Sequence, residues 1–446
     1  MHLCFFCSSL CSGLSMTDHY YIHIPFCRQR CPYCKFALTP VFDEFKKKRY
    51  IEYLKKEIRE YFILSSSERI CSDIETDSPT ENDKKQQKTI YFGGWTPSVL
   101  SHDEILSILE CFPFWTSPPF RGSQRGYPES TPPSLLLRYN SSPKSGKLET
   151  YKGRNPEVEN LEITMEMNPE DVTPEYIEWV LALGINRISL WIQTLNEASL
   201  KEIHRSDRNT IFRALESMNE AHISLNIDFI LGLPFVQVWE TLSGIKELHQ
   251  KFPYITHTSV YMLEDEKYPK HWRANSITED DMRSEFLAIM DYFKSIWWHH
   301  YELSNWARPG YESVHNQAYW DHSETRGFGL SAASFEWWKR WSNASSFSGY
   351  YGWKRDNEEK LTPEQIKLEE MMFGLRRDGW ISPLWRGDGD SQGGFVSENQ
   401  SNTSLPPLTG GLIANWLIEI NENRIKPTKT WIFVIDHILS ELISDL

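Results

Sequence analysis

The sequence contains no stretch of about 18 consecutive apolar residues, so no segment is expected to span a bilayer. Its charge is predominantly acidic: Lys+Arg 47 against Asp+Glu 61 leave a net charge of −14. A phosphate backbone would find no electrostatic footing on such a surface, which excludes general nucleic-acid binding. Met1 to Ser15 contains no Lys or Arg, which a secretory leader would need. Cysteine is missing from most of the chain. The eight present are Cys4, Cys7, Cys11, Cys27, Cys31, Cys34, Cys71 and Cys111, all within the first quarter, whereas a secreted disulfide scaffold would spread them. A cytoplasmic protein is expected.

What is present is an ordinary globular composition, 40% hydrophobic and 24% charged, in a chain of 446 residues, long enough for a large α/β domain with an appendage. Short β-rich runs alternate with amphipathic helical runs, the pattern of a parallel sheet. Strands are expected at Tyr20 to Ile24, Thr89 to Phe92, Glu162 to Met167, Arg187 to Ile192, Ser224 to Leu231 and His257 to Met262. Between the first two, Tyr50 to Ile63 repeats apolar residues close to a 3.6 period. Ser101 with Glu104 forms a capping box, and Thr173 followed by Pro174 starts a helix that Gly184 should stop.

Six βα units amount to a partial (β/α)6 barrel, expected over residues 18–300 with polar insertions at 65–88 and 118–160. A further polar stretch at 386–411 precedes a C-terminal domain, 381–446, expected to be small and mainly helical, with a terminal helix near Ile432 to Ile443. Residues 1–17 are expected to be an extension from an upstream start, with Met16 as the true one.

The strongest motif is Cys27-Arg-Gln-Arg-Cys31-Pro-Tyr-Cys34, three thiols directly after the first strand. Three thiolates on one tight loop can hold one face of an iron–sulfur cube and leave the fourth iron open for a ligand. The alternatives are a zinc site, for which the loop itself offers no fourth Cys or His, or three unrelated core thiols. Glu166, Asn168, Gln193 and Asp228 fall near the C-terminal ends of successive expected strands, as do Gly93-Gly94-Trp95-Thr96-Pro97. In a parallel barrel those ends share the rim where active sites are built. Carboxylates there could accept from an amine or from ribose hydroxyls, and Arg205 could hold a carboxylate.

The CxxxCxYC loop resembles the signature of radical S-adenosylmethionine proteins. The preceding Tyr21-Ile-His-Ile-Pro-Phe26 narrows the resemblance to the oxygen-independent coproporphyrinogen III oxidase family. The likeness continues through the Gly-Gly-Trp-Thr-Pro loop, Glu166-Met-Asn168-Pro169, Ser189-Leu-Trp191-Ile-Gln193, Ile203-His-Arg205 and Asp228-Phe-Ile-Leu-Gly232-Leu-Pro234. It implies that Cys27, Cys31 and Cys34 hold a [4Fe-4S] cluster. It also implies that Tyr21, Tyr33, Gly93, Gly94, Thr96, Glu166, Gln193, Arg205 and Asp228 contact S-adenosylmethionine, and that the reduced cluster breaks a carbon–sulfur bond to release a 5′-deoxyadenosyl radical.

His315-Asn316-Gln-Ala-Tyr319-Trp320, within the region 301–380, resembles the heme-associated motif of the family's HemW-like heme chaperone branch. His315 is thereby a candidate heme ligand, or else a capped core histidine among packing aromatics. Two functions are implied on one barrel. One is oxidative decarboxylation of coproporphyrinogen III; the other is binding heme and passing it to acceptor proteins. The carrier reading is preferred. Position 36 is Phe where the decarboxylase branch has a further cysteine, the segment before Cys27 is short for that branch, and the HNxxYW string is present.

Tryptophan is in surplus, with 18 residues. Trp95, Trp191, Trp297, Trp338 and Trp431 stand where the resemblance leads one to expect glycine. Either the cofactor site is degenerate, or UGA codons for glycine have been read as tryptophan, the explanation preferred.

Overall fold

Strict alternation of apolar and polar residues in the expected strands is what builds the sheet. β1 (His19–Ile24), β2 (Lys88–Gly94), β3 (Leu161–Met167), β4 (Arg187–Gln193), β5 (Ser224–Leu231) and β6 (His257–Met262) pair in parallel and in sequence order. Their crossovers carry α1 (Glu44–Ile70), α2 (His102–Leu109), α3 (Pro174–Ala182), α4 (Glu197–Glu202), α5 (Arg208–Met218) and α6 (Glu240–Lys251). The computed structural model describes residues 17–28, 31–34, 43–70, 87–115, 161–219, 221, 223–263, 269–374, 376–377, 418–421 and 424–427.

The apolar rows, among them Ile22, Phe92, Met165, Leu190 and Ile227, lie buried in one continuous core that includes α1 to α6 residues such as Leu54, Ile105, Ile177, Leu215 and Leu248. The opposite rows line the inside of the barrel. Parallel register aligns His19 with Thr89, Thr89 with Glu162, Ser189 with Asn226, and Asn226 with His257. Because side chains alternate with period two, every second residue of each strand therefore meets its neighbours in the lumen.

The expected caps form. Ser101 and Glu104 make a complete capping box, Thr173 accepts from the Tyr176 amide, and Gly184 ends α3 at φ 84°.

The barrel does not close by pairing β1 with β6. After α7 (Lys270–Arg273) and α8 (Glu279–Ser295), the hairpin β7 (His299–Glu302) and β8 (Asn305–Ala307) extends the sheet beyond β6. The chain then forms α9 (Val314–Trp320) and returns as β9 (Thr325–Phe328), parallel to β1 on the other side. β10 (Ala333–Glu336), β11 (Lys339–Asn343), α10 (Phe347–Tyr351) and β12 (Arg355–Lys360) continue from that edge, and α11 (Pro363–Gly374) follows. The result is an open sheet of twelve strands whose two flanks are joined through α9.

α1 runs on to Ile70, into the insertion expected from residue 65. The described part of the C-terminal segment is the hairpin β13 (Ile418–Asn421) and β14 (Arg424–Pro427) rather than a helix. The helix expected at Ile432 to Ile443, the extension 1–16, the insertions at 71–86 and 118–160, the stretch 386–411, Phe36 and Trp431 lie outside the described residues.

One buried carboxyl ties the β9–β12 flank to α1. Glu57 accepts from the Gly329 amide at 2.9 Å, the Tyr350 hydroxyl at 2.8 Å and Asn343 Nδ2 at 2.7 Å. Burial pushes its pKa up, and those donors hold it back. Glu57→Ala would leave three buried donors unpaired, so it should cost about 3 kcal/mol or more in chemical denaturation, with Glu57→Gln costing less.

Candidate functional site

The rim at the C-terminal ends of β1 to β5 carries most of the expected site. Cys27, Cys31 and Cys34, none of them in a disulfide, lie in the loop after β1. Cys31 is buried, and the Cys34 amide donates to its carbonyl at 3.0 Å in a tight turn. Among the described residues no three His, Cys, Asp or Glu side chains converge on a single metal ion. A cube asks for something different, since each thiolate binds its own iron.

A chain of hydrogen bonds organises this loop. Arg205 Nη1 donates to Asn168 Oδ1 at 2.7 Å, Asn168 Nδ2 donates to Thr96 Oγ1 at 3.2 Å, and Thr96 Oγ1 donates to Cys27 Sγ at 3.1 Å. Arg205 also donates to the Trp191 carbonyl. Burial opposes its charge, but Tyr33, Cys31 and Glu170 beside it hold its pKa above the ordinary value. The Cys31 thiol is pushed up by burial and pulled back by Arg205. Tyr33 packs against Ile203, Leu233, Val236 and Trp272, and burial raises its phenol pKa.

The glycine loop needs its glycines. A Cβ on Gly93 would stand 2.8 Å from the Tyr21 ring and 2.9 Å from the Tyr91 ring. Gly94 has φ +115°, and a Cβ there would meet His23 at 2.9 Å. With no side chain, the Gly94 amide reaches Glu166 Oε2 at 3.0 Å while the Tyr91 hydroxyl donates to Oε1 at 2.9 Å. Burial, with Asp228 adding to it, pushes the Glu166 carboxyl up to about 8 against the pull of the Tyr91 bond.

Asp228 accepts from Ser189 Oγ at 2.6 Å and Asn226 Nδ2 at 2.9 Å, and burial raises its pKa. Gln193 ends β4 with φ 71°, and its Oε1 is buried without a partner. A buried acceptor left open, a glycine amide brought onto a buried carboxyl, and thiols held by a bonded network are what a sulfonium nucleotide beside a cluster would use. The residues fit both groups.

His315 stands apart from this rim. It projects from α9 into the opposite end of the lumen, where Nδ1 lies 2.6 Å from Thr89 Oγ1 and Nε2 lies 3.1 Å from the Tyr319 hydroxyl. Its ring stacks on Tyr91 at 4.9 Å, and burial drives its pKa down to about 3, so it is neutral. Both ring nitrogens are in use, and a metal could reach Nε2 only after Tyr319 moved away. Glu162 fixes the helix by accepting from the amides of Val314 at 3.2 Å and His315 at 3.1 Å. His23, inside β1, is a buried neutral histidine whose Nδ1 lies 3.1 Å from the Tyr21 hydroxyl.

Motif reading missed Tyr91, Glu162, Asn226 and His257. Asn226 Oδ1 lies 2.6 Å from His257 Nδ1, and His257 Nε2 lies 2.7 Å from the Tyr301 hydroxyl. The signal was the alternation itself, since Glu162, Thr164, Glu166 and Ser224, Asn226, Asp228 are polar at every second position of otherwise apolar strands.

A sequence model of the radical SAM superfamily matches residues 21–248. The heme chaperone HemW of Lactococcus lactis subsp. lactis is 28% identical over 372 residues, which cover 81% of this chain and 82% of that one. The heme chaperone HemW of Synechocystis is 27% identical over 430 residues, 92% and 89% of the two chains. Among solved structures, the radical SAM enzyme coproporphyrinogen III oxidase, HemN, of Escherichia coli matches with a TM-score of 0.66 and 17% identity over 96% of this chain and 90% of that one, a likeness of fold.

Glu166 gives the site a pH signature. The folded carboxyl keeps its proton up to about 8, whereas the unfolded group releases it near the ordinary glutamate value of 4.5. The unfolded state is therefore increasingly favoured as pH rises through that window. Denaturation midpoints should fall between those limits, and Glu166→Gln should flatten the fall; an unaltered slope would remove Glu166 as its cause.

Proposed function

This chain belongs to the radical SAM superfamily, and from that premise we propose that it is a HemW-like heme chaperone: it holds a [4Fe-4S] cluster, S-adenosylmethionine and heme, and hands heme to acceptor proteins. The observation that carries this reading is the HNxxYW helix, set in the lower mouth of a barrel whose upper rim carries the cysteine loop, in a chain similar over most of its length to proteins named heme chaperones. The HemN likeness speaks for the fold and leaves the decarboxylase reading without an observation of its own.

In this reading Cys27, Cys31 and Cys34 are the cluster ligands, with Thr96 donating a hydrogen bond to Cys27. Glu166 would take the sulfonium ligand's amine and Gln193 and Asp228 polar groups of its nucleoside, while Gly93 and Gly94 let Tyr21, Tyr91 and His23 pack close beneath the loop. Tyr33 packs beside the cluster loop, and Arg205 positions Asn168 and Thr96. When bound, the cluster and S-adenosylmethionine supply one-electron reductive chemistry. The chain's part is to position them and keep water away. No helix of the described residues is long and apolar enough to cross a membrane. A cytoplasmic setting, where thiols stay reduced, suits three cysteines that form no disulfide.

His315 is the heme ligand in this proposal, and Tyr319 is its gate. Heme titration followed by the Soret band separates the two roles. His315→Ala should lose the ligand's spectral signature. Tyr319→Phe, which removes one hydrogen bond worth about 1 kcal/mol, should tighten binding roughly fivefold. Unchanged spectra in both variants would remove His315 as ligand, and release of carbon dioxide from coproporphyrinogen III at enzymic rates would overturn the carrier reading.

Separately, any of Cys27→Ala, Cys31→Ala or Cys34→Ala should abolish the reconstituted cluster's visible absorbance, whereas Cys111→Ala should leave it.

A further inference from the structure

Eleven non-glycine residues among the described ones have a left-handed backbone, and five of them are tryptophans: Trp239 (φ 72°), Trp297 (62°), Trp337 (52°), Trp338 (60°) and Trp353 (56°). For a bulky side chain such a φ is an outlier, since Cβ crowds the backbone. Tryptophan supplies only 18 of the 446 residues of the whole chain. The same five are also the exposed tryptophans of the described residues, at 49%, 86%, 48%, 46% and 43%. The others described, such as Trp272 and Trp306 at 1% and 0% exposure, have ordinary backbones and are packed. Backbone conformation and exposure divide the tryptophans in the same place.

The local geometry at four of these positions is one that glycine normally fills. α8 ends with the Trp297 amide donating to the Lys294 carbonyl at 3.2 Å and the Trp298 amide to the Phe293 carbonyl at 3.0 Å. α10 ends in the same way, through Trp353 to Tyr350 at 3.0 Å and Lys354 to Gly349 at 3.1 Å. These are Schellman motifs, whose left-handed residue is usually glycine. α3 carries the identical pair of bonds, Gly184 to Leu181 at 2.9 Å and Ile185 to Val180 at 3.1 Å, and there the residue is glycine. Trp337 and Trp338 are the two-residue loop between β10 and β11, closed by the Glu336–Lys339 pair. With φ positive at both they make a type I′ turn, the turn of Asn-Gly and Gly-Gly. Trp239 precedes α6 in a left-handed conformation and offers no capping bond.

We propose that the functional polypeptide carries glycine at 239, 297, 337, 338 and 353, because the codons here read as tryptophan are decoded as glycine in the cell that makes the protein. That cell then holds a glycine-charged tRNA for a codon elsewhere used as a stop, while buried tryptophans such as Trp272 and Trp306 come from ordinary tryptophan codons. A tryptophan-rich docking surface would explain exposure, but it gives no reason for left-handed backbones on separate helix ends and a hairpin. Nor does loss of cofactor binding, because none of the five lies in the cysteine or glycine loops. Trp95 and Trp191 have ordinary backbones, so this geometric signature does not extend to them.

Peptide sequencing by mass spectrometry of the protein from its native cell decides the question. Glycine is expected at the five positions and tryptophan at 272 and 306; tryptophan at the five, or UGG in their codons, overturns the proposal. On the full recombinant chain, the variant with all five changed to glycine should melt several degrees higher than the chain with five tryptophans, because strain at five left-handed positions is relieved. Trp306→Gly should lower the melting temperature. A five-glycine variant no more stable than its parent also counts against the proposal.

Discussion

Everything in this barrel depends on two-residue alternation carried through five parallel strand pairs up to the rim. One row of each strand belongs to the core; the other is largely polar and faces the lumen. A buried polar group must find a partner there. Tyr91 bonds Glu166, Ser189 and Asn226 bond Asp228, His257 bonds Asn226 and Tyr301, and Thr89 meets both His19 and His315. The only register shift between β4 and β5 lies at Trp191 and Gln193, where the strand ends at the rim. There the alternation breaks and Gln193 turns its acceptor out of the ladder with nothing to meet it.

The same constraint joins the two ends of the barrel. Tyr91 stacks on His315 with its face and donates its hydroxyl to Glu166, whose other oxygen holds the Gly94 amide. A single side chain thus touches both the helix that carries the HNxxYW string and the carboxyl beneath the glycine loop. Glu162, one turn of the alternation below, pins the amides of that helix. The two halves of the proposed function share one wall.

How much of this could be read beforehand follows from the range of each interaction. The six strands, the Ser101 and Thr173 caps and the Gly184 stop depend on neighbours a few residues away, and all appear where local pattern places them. The cysteine loop and the glycine loop are local too, and their residues meet at the rim. His315 was legible as a motif but not as a location, because its partners Thr89 and Tyr91 are more than 200 residues earlier and are brought to it by the return of the chain through α9. Glu57 was invisible for the same reason: it reads as one more charged residue on an amphipathic helix until β9, β11 and α10 fold over it. The tryptophans were legible only in part. Trp297 and Trp338 stand out against expected glycines, whereas Trp239, Trp337 and Trp353 become conspicuous through backbone conformation, which sequence does not display.

The central proposal is that Cys27, Cys31 and Cys34 would hold a [4Fe-4S] cluster with one iron left for S-adenosylmethionine. The most direct measurement is the electron paramagnetic resonance spectrum of the reduced, reconstituted cluster in the full chain, recorded before and after addition of S-adenosylmethionine. A ligand arriving at the open iron changes the g-values of the signal, and that shift is expected here. A cluster signal identical in both spectra would mean that the fourth iron is closed or its ligand shut out, and would contradict the site described above.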